Sequence, residues 1–263
     1  MKSKIRIAAL VSLLILYECF SYPSKEWIIE KHSSYLIYYT ASDKSHILEY
    51  NKLIDEGIIS TISFFKDTFK NRFVVNVHPN RKSLDAQWQN DWNMPSFKSE
   101  CWMVASGIAA RLDIISPSIW DTESCEHNYS DKNKTQALIT HELIHVFHGQ
   151  FCKSKDFGEF VNMDWFVEGL ASYASGQCDS SAIAEVKKAY MANSLPDKLD
   201  KFWTGKLRYS ISGAVVMFID KKFGRNILKE VMKCSKLTEV LILLKCTEPE
   251  FISEFKMYIT SLS

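Results

Sequence analysis

The chain has no excess of charge of either sign, no Cys-x-x-Cys pair and no low-complexity linker, and each absence excludes something. With 32 basic against 31 acidic residues, its net charge of +1 offers no electrostatic footprint for nucleic acid. Because no Cys-x-x-Cys motif is present, a zinc site built on thiolates is not expected. Without a linker or an internal repeat, and with 46% hydrophobic residues, the chain is expected to form one domain with a substantial core.

The N-terminus has the three parts of a secretory signal peptide. Three of its first six residues are basic, and an apolar stretch too short to span a membrane comfortably follows. Cys19 and Ser21 then put small residues at the −3 and −1 positions of a cleavage site. We therefore expect loss of residues 1–21 and secretion of a single domain, residues 22–263, with no stable membrane insertion. An uncleaved membrane anchor is the alternative.

The cysteines predict disulfides. Seven are present, and cleavage of the signal peptide would leave six, an even number that is typical of exported proteins. Neighbours along the sequence suggest Cys101–Cys125, Cys152–Cys178 and Cys234–Cys246. If the chain is not exported, six reduced structural cysteines are the alternative.

The most informative motif is His-Glu-Leu-Ile-His at residues 141–145. On a helix, residues four apart lie on one face, about 6 Å apart along the axis, so His141 and His145 can direct one ring nitrogen each at a shared metal ion. Glu142 lies roughly 100° around the helix, where it can reach a water without coordinating the ion. The spacing therefore predicts a metal site with Glu142 as general base. A coincidental surface helix is the alternative.

His148 lies on the same predicted helix face but is not expected to be a ligand. It is about 10 Å along the axis from His141, too far for both to share an ion with His145. A role beside the site or at the helix end suits it better, because a cation there is favoured by the helix dipole.

The third ligand is expected from a later helix. A catalytic zinc ion usually takes three protein ligands and keeps a fourth position for water. A metzincin-type ligand would be a histidine six residues after His145, but Phe151 stands there. Glu168 lies in Trp-Phe-Val-Glu-Gly-Leu-Ala, an apolar run in which an acid needs a partner. We therefore predict Glu168 as the ligand, with a salt-bridge or capping role as the alternative.

Together the two motifs resemble those of the gluzincin metallopeptidases, the thermolysin-like group with a His-Glu-x-x-His helix and a downstream glutamate ligand. The resemblance implies a zincin fold and one zinc ion held by His141, His145 and Glu168. It also implies that Glu142 is the catalytic base.

The resemblance has two departures and two further implications. Ser172 stands where thermolysin-type enzymes carry an Asp that supports a ligand histidine, so that supporting residue is unidentified. The Gly-Ala-Met-Glu-Asn loop of aminopeptidase-like members is absent. Tyr209 is the candidate for a hydrogen bond to the developing oxyanion, with a packing role as the alternative. The strand before the metal helix, Ala110–Ser116, would form the sheet edge that pairs with substrate, or be an ordinary edge strand.

The remaining patterns predict the fold class. Strand and helix signals occur first, and almost everything beyond residue 130 has helical periodicity, which favours an α+β domain. The predicted elements before that point are strands at 35–40, 72–78, 102–105 and 110–116 and a helix at 45–69.

These observations predict a secreted zinc metallopeptidase that hydrolyses a peptide or protein substrate. Zinc lowers the pKa of a bound water to ~7, and Glu142 would accept its proton. One alternative is a non-catalytic zinc-binding recognition module at the cell surface, although the presence of Glu142 argues against it because binding needs only the ligands. Another is an adhesion or structural protein without a metal.

Overall fold

The fold is described by a computed structural model for residues 27–262, in which strands come first and helices follow. Five strands form one mixed sheet in the order β1-β2-β3-β5-β4. Strands β2, β3 and β5 are parallel, and β1 and β4 are antiparallel to their neighbours. The predicted α+β class is thereby confirmed. The strands are β1 (Ile28–Lys31), β2 (Tyr35–Tyr39), β3 (Phe73–His78), β4 (Ala105–Ile108) and β5 (Arg111–Ile115).

Ten α-helices are present among the described residues, and seven of them follow the last strand of the sheet and the short helix α3. Helices α1 and α4 cover one face of the sheet, while α2 contacts β3 and β5 from the other side. The helices are α1 (Ile47–Phe65), α2 (Arg81–Asp91), α3 (Trp120–Glu123), α4 (Lys132–Phe151), α5 (Asp164–Ala174), α6 (Ser180–Met191), α7 (Arg208–Phe223), α8 (Arg225–Val231), α9 (Leu237–Leu244) and α10 (Glu248–Ser261).

The predicted boundaries hold to within a few residues where a local signal exists. Helix α1 ends at Phe65 because Lys66 adopts the left-handed conformation, four residues before the predicted end. The predicted strand at 102–105 is displaced, since the chain turns at residues 101–102 and β4 begins only at Ala105.

Helix α4 is buried on nearly all sides because it belongs to two hydrophobic clusters. Leu143 and Val146 pack with the sheet and α1. Ile144 and Phe147 pack with α5, α7 and the C-terminal helices. A helix that is apolar almost all round is stable only in such an interior position. This placement carries residues 141–145 into the centre of the molecule.

The edge of the sheet nearest α4 is β4, so the prediction that residues 110–116 form that edge is wrong. Strand β5 lies inside the sheet, between β3 and β4. The chain reverses at Ala109 and Ala110, so β4 pairs antiparallel with β5 and covers it. Gly107 in the middle of β4 allows α4 to approach, because a Cβ there would lie 2.2 Å from the Glu142 carbonyl oxygen.

Helices α5 and α7 make a comparably close contact at Gly169. A Cβ at this position would lie 2.4 Å from the backbone oxygen of Ser212. The absence of a side chain therefore lets the two helices pack backbone to backbone. The neighbouring Glu168 is fixed by the same contact.

One of the three predicted disulfides is present. Cys101 and Cys125 are bonded, which confirms that pair. The predictions for Cys152–Cys178 and Cys234–Cys246 are wrong, because all four of these thiols are free.

The Cys152 and Cys178 thiols, predicted to form a disulfide, pack against different neighbours. Cys152 is buried after the end of α4, where its thiol lies 2.8 Å from the Ser154 carbonyl oxygen. Cys178 instead packs against α7 at Gly213.

The predicted signal peptide, residues 1–21, lies outside the described residues. From residue 27 to residue 262, no helix is both long enough and apolar enough to cross a membrane.

Candidate metal centre

Three side chains from two helices converge on one point. The Nε2 atoms of His141 and His145 lie 3.1 Å apart. The Glu168 Oε2 atom lies 3.2 Å from the first and 3.6 Å from the second. The structure therefore brings together all three of the predicted ligands, and this is the cluster of His, Cys, Asp and Glu side chains among the described residues that could hold a metal ion.

The three atoms have the spacing of a metal site. A tetrahedral ion with ligand distances of about 2.0–2.1 Å holds its ligand atoms about 3.3 Å apart. The three observed distances, 3.1, 3.2 and 3.6 Å, surround that value. Two lone-pair nitrogens and a carboxylate so close together repel one another unless a cation or a proton lies between them. The cluster is a possible metal-binding triad.

The helices hold these three side chains rigidly. His141 and His145 follow from the four-residue spacing on α4, whose neighbouring residues Leu143 and Ile144 are completely buried in opposite cores. Helix α5 is anchored by buried Phe166 and Leu170 on either side of Glu168. Ligands on two packed helices need little reorganisation to bind an ion.

Gln177 supports His141, a role that the sequence left unidentified. Its Oε1 atom lies 2.7 Å from His141 Nδ1. If that nitrogen carries the proton and donates to the amide oxygen, the Nε2 lone pair faces the cluster, as a ligand requires. Ser172, at the position of the supporting Asp in thermolysin-type enzymes, is buried with an unpartnered hydroxyl and makes no such bond.

A turn after α5 brings Gln177 back over the site. Gly176 has a φ of 83°, and the Cys178 N–H donates to the Ser172 carbonyl at 3.0 Å. A glycine just after a helix was the available sequence signal for this reversal. It does not reveal which side chain the turn delivers.

Glu142 lies beside the triad without belonging to it. Its side chain is buried, and burial raises the pKa of its carboxyl group above the usual range, while the Gly107 backbone N–H favours the charged form. A carboxyl group with a raised pKa accepts a proton more readily near neutral pH. The arrangement suits a general base.

The charges within the triad are strongly coupled. Burial alone would raise the pKa of Glu168, but attraction and hydrogen bonding from His145 and His141 outweigh it and hold the pKa below the usual range. Burial alone would lower the pKa of His145, and the carboxylate of Glu168 raises it instead. The pocket therefore favours a carboxylate facing positive charge, which a divalent cation would also provide.

Tyr209 lies at the rim of the centre, on the first turn of α7. Its ring centroid is 6.2 Å from that of His141. Burial and the nearby Glu168 carboxylate raise the pKa of its hydroxyl, so the group remains a hydrogen-bond donor at neutral pH. The structure thus places Tyr209 near the triad, and its role at the oxyanion stays a prediction.

His148 is outside the triad, in agreement with its spacing. It is fully buried, and its Nε2 donates to the Met232 carbonyl at 3.0 Å. Burial lowers its pKa to about 3, so it is neutral at physiological pH.

Comparison with known proteins leaves the family open. The chain matches no protein-family model, and no curated protein matches it significantly.

Proposed function

We propose that the protein is a zinc-dependent metallopeptidase of the gluzincin type with a zincin fold. The observation that supports this most strongly is the convergence of His141, His145 and Glu168 at coordination spacing, with Glu142 beside them. A recognition module would need the three ligands but not the buried acid. An acid that is kept buried next to the site, at a cost in desolvation, favours catalysis.

Zinc is the proposed ion because the donor set and the base fit hydrolysis. Two imidazoles and a carboxylate bind zinc in hydrolases and also bind iron in oxygenases, so the ligands alone leave both metals open. When bound, zinc polarises a carbonyl and lowers the pKa of a coordinated water. Of these two chemistries, hydrolysis is the one that uses a general base beside the metal, where it accepts a proton from the attacking water.

Each side chain around the site then has a separate role in the reaction. Glu142 accepts a proton from the attacking water and later passes it to the leaving amine. Gln177 holds His141 in the tautomer that directs Nε2 into the site. Tyr209, protonated at neutral pH, donates a hydrogen bond to the developing oxyanion. Strand β4, at the edge of the sheet beside α4, offers backbone groups to an extended peptide.

Glu142→Gln tests the proposal directly. The variant is expected to keep a stoichiometric metal ion, because Glu142 is not a ligand, and to lose at least 10²- to 10⁴-fold of the hydrolytic rate, roughly the contribution of general acid–base catalysis. Metal content is measured by elemental analysis and hydrolysis with a mixed peptide substrate, with and without a chelator.

Glu56→Gln, on the exposed side of α1, is the matched control and should retain full activity. Undiminished hydrolysis by the Glu142 variant contradicts the base assignment. A metal-loaded wild type that cleaves no peptide favours a non-catalytic zinc-binding recognition module, and iron in place of zinc contradicts the choice of metal.

Secretion is proposed on the N-terminal pattern and the disulfide. The bond between Cys101 and Cys125 is compatible with an oxidising compartment, where such bonds persist. Removal of residues 1–21 during export is tested by the N-terminal sequence of the secreted chain.

A further inference from the structure

Arg208, the first residue of α7, lies among three aromatic rings at the rim of the metal centre. Its guanidinium carbon is 5.0 Å from the ring centroid of Trp102, 5.4 Å from that of Trp203 and 5.2 Å from that of Tyr209. Trp102 comes from the segment before β4, whereas Trp203 precedes α7 by five residues and Tyr209 directly follows Arg208. The guanidinium is therefore held between the sheet half and the helical half of the molecule.

No carboxylate of the described residues pairs with this arginine. Arg81, Arg111 and Arg225 each form an ion pair with an acidic side chain. Arg208 forms none within residues 27–262, and its Nε atom is buried without a hydrogen-bond partner. Glu100 is the acid nearest in sequence to Trp102. Its carboxylate accepts the Trp102 indole N–H at 2.6 Å and so is engaged with that side chain rather than with Arg208.

The position of Arg208 connects it to the metal centre. Tyr209 contacts both Arg208 and His141, since its ring lies 5.2 Å from the guanidinium carbon and 6.2 Å from the His141 ring. Trp102 stands just before β4, whose Gly107 packs on Glu142. A group bound by Arg208 would thus lie beside the site, between the edge strand and α7.

We propose that Arg208 is the anchoring residue of a subsite that binds a carboxylate of the peptide substrate. This inference rests on the proposed peptidase function and adds a substrate class to it. Aromatic ring faces attract the guanidinium without using the donors in its plane. The Tyr209 hydroxyl engages one of its N–H groups, and the Nε–H has no partner. Their fork matches a carboxylate in bidentate geometry. In a peptide, that carboxylate is either the C-terminus or an acidic side chain.

The test uses four pools of randomised peptides and the zinc-loaded mature protein. Two pools differ only in a free or amidated C-terminus, and two amidated pools differ only in Glu or Gln at one fixed internal position. Wild type is expected to prefer one acid pool over its neutral partner, and the pair that shows the preference identifies the source of the carboxylate. Hydrolysis is followed by mass spectrometry as kcat/KM for each pool.

Arg208→Ala should reduce that preference by about 10- to 100-fold, as expected for loss of a hydrogen bond to a charged group. Arg208→Lys should restore it only in part, because an ammonium group lacks the planar fork. Lys206→Ala removes the same charge from an exposed residue two positions away and should keep the preference.

Binding separates this inference from the peptidase proposal. The Glu142→Gln variant, alone and combined with Arg208→Ala, is incubated with the same pools, and retained peptides are identified by affinity selection. Retention of acid peptides that depends on Arg208 supports the subsite even if wild type cleaves nothing. Equal retention of acid and neutral pools by the Glu142→Gln variant overturns it, as does a preference, in retention or in cleavage, that survives Arg208→Ala.

Discussion

A single amide oxygen determines how His141 faces the metal centre. The bond from Nδ1 to Gln177 Oε1 is short, at 2.7 Å, and Gln177 comes from a turn rather than from a helix. A ligand histidine whose second nitrogen is bonded cannot rotate its ring or exchange its tautomer freely. His145 has no equivalent support, because its Nδ1 is buried without a partner.

Gln177→Leu should therefore weaken metal binding by roughly 10- to 100-fold, the usual effect of removing such a supporting group. Gln177→Glu keeps an acceptor and should restore the affinity. The measurement is a competition titration with a chelator of known affinity. Gln87→Leu, the same change at a partly exposed position on α2 outside the triad, is the control. Unchanged affinity in the Leu variant would show that the bond plays no part in holding the ion.

Because His148 is buried and neutral, we expect the free energy of unfolding to depend on pH. Burial holds its pKa at about 3, below the value of ~6.5 expected in the unfolded chain. Below pH 6.5 the unfolded state therefore binds a proton that the folded state does not, and stability falls by up to about 1.4 kcal/mol per pH unit until the folded pKa is reached.

His148→Gln removes this linkage while keeping an amide that can donate to the Met232 carbonyl. Between pH 7 and pH 5.5, wild type should lose about 1 kcal/mol more stability than the variant. The free energy of unfolding is measured with urea at both pH values. Equal losses would mean that His148 is not neutral in the folded protein at the lower pH.

At the scale of elements, the contact between α5 and α7 sets the position of Glu168. Gly169 faces the backbone of Ser212, and Tyr209 and Arg208 lie one turn earlier on the same α7. Glu168 and the rim residues are therefore fixed to each other through one helix contact. Any displacement of α5 against α7 changes the triad and its rim together.

Gly169→Ala should be destabilising, because its methyl group would approach the Ser212 backbone oxygen to 2.4 Å and backbone atoms cannot move aside cheaply. Overpacking of this kind costs about 1–3 kcal/mol. We also expect weaker metal binding, since Glu168 is adjacent. Thermal unfolding and the chelator titration measure the two effects. Gly158→Ala, at an exposed loop position where a Cβ meets nothing closer than 3.4 Å, should change neither.

At the scale of the whole molecule, a bound ion would connect α4 to α5 between the two cores. Binding to the folded state alone stabilises it by RT ln(1 + [L]/Kd), about 4 kcal/mol at 1,000 times Kd. Chelation should therefore lower the unfolding temperature of the metal-loaded protein by roughly 10 °C.

Differential scanning calorimetry with and without a chelator measures this difference. His145→Ala should show no response to the chelator, whereas Glu142→Gln, which keeps all three ligands, should respond like wild type. A wild-type unfolding temperature that is indifferent to chelation would mean that the triad is empty under those conditions.

The features that the sequence predicted correctly are those that depend on local spacing. The helical period of α4 and the four-residue interval place His141 and His145 on one face without knowledge of the fold. The α+β class likewise follows from the succession of strand and helix patterns. Glu168 could be predicted because an acid in an apolar helix needs a partner, and the partner was the histidine pair.

The features that were missed depend on how distant segments meet. The strand pattern of Ala110–Ser116 is the same for an inner strand as for an edge strand, so the order of β4 and β5 could not be predicted. The pairing of Cys152 with Cys178 was inferred from sequence proximity, but the two thiols pack against different neighbours. Gln177 lies in a turn whose direction only the folded chain determines.

Helix α4 contributes residues to both hydrophobic clusters, so the chain cannot be cut on either side of α4 without separating parts that pack together. A cut between residues 145 and 168 would leave two members of the triad on one fragment and the third on the other. A cut before α4 would keep the ligands together but strip Leu143 and Val146 of their apolar covering. Neither cut keeps both the triad and its packing intact, so a shortened version of this protein is best made by trimming its surface loops.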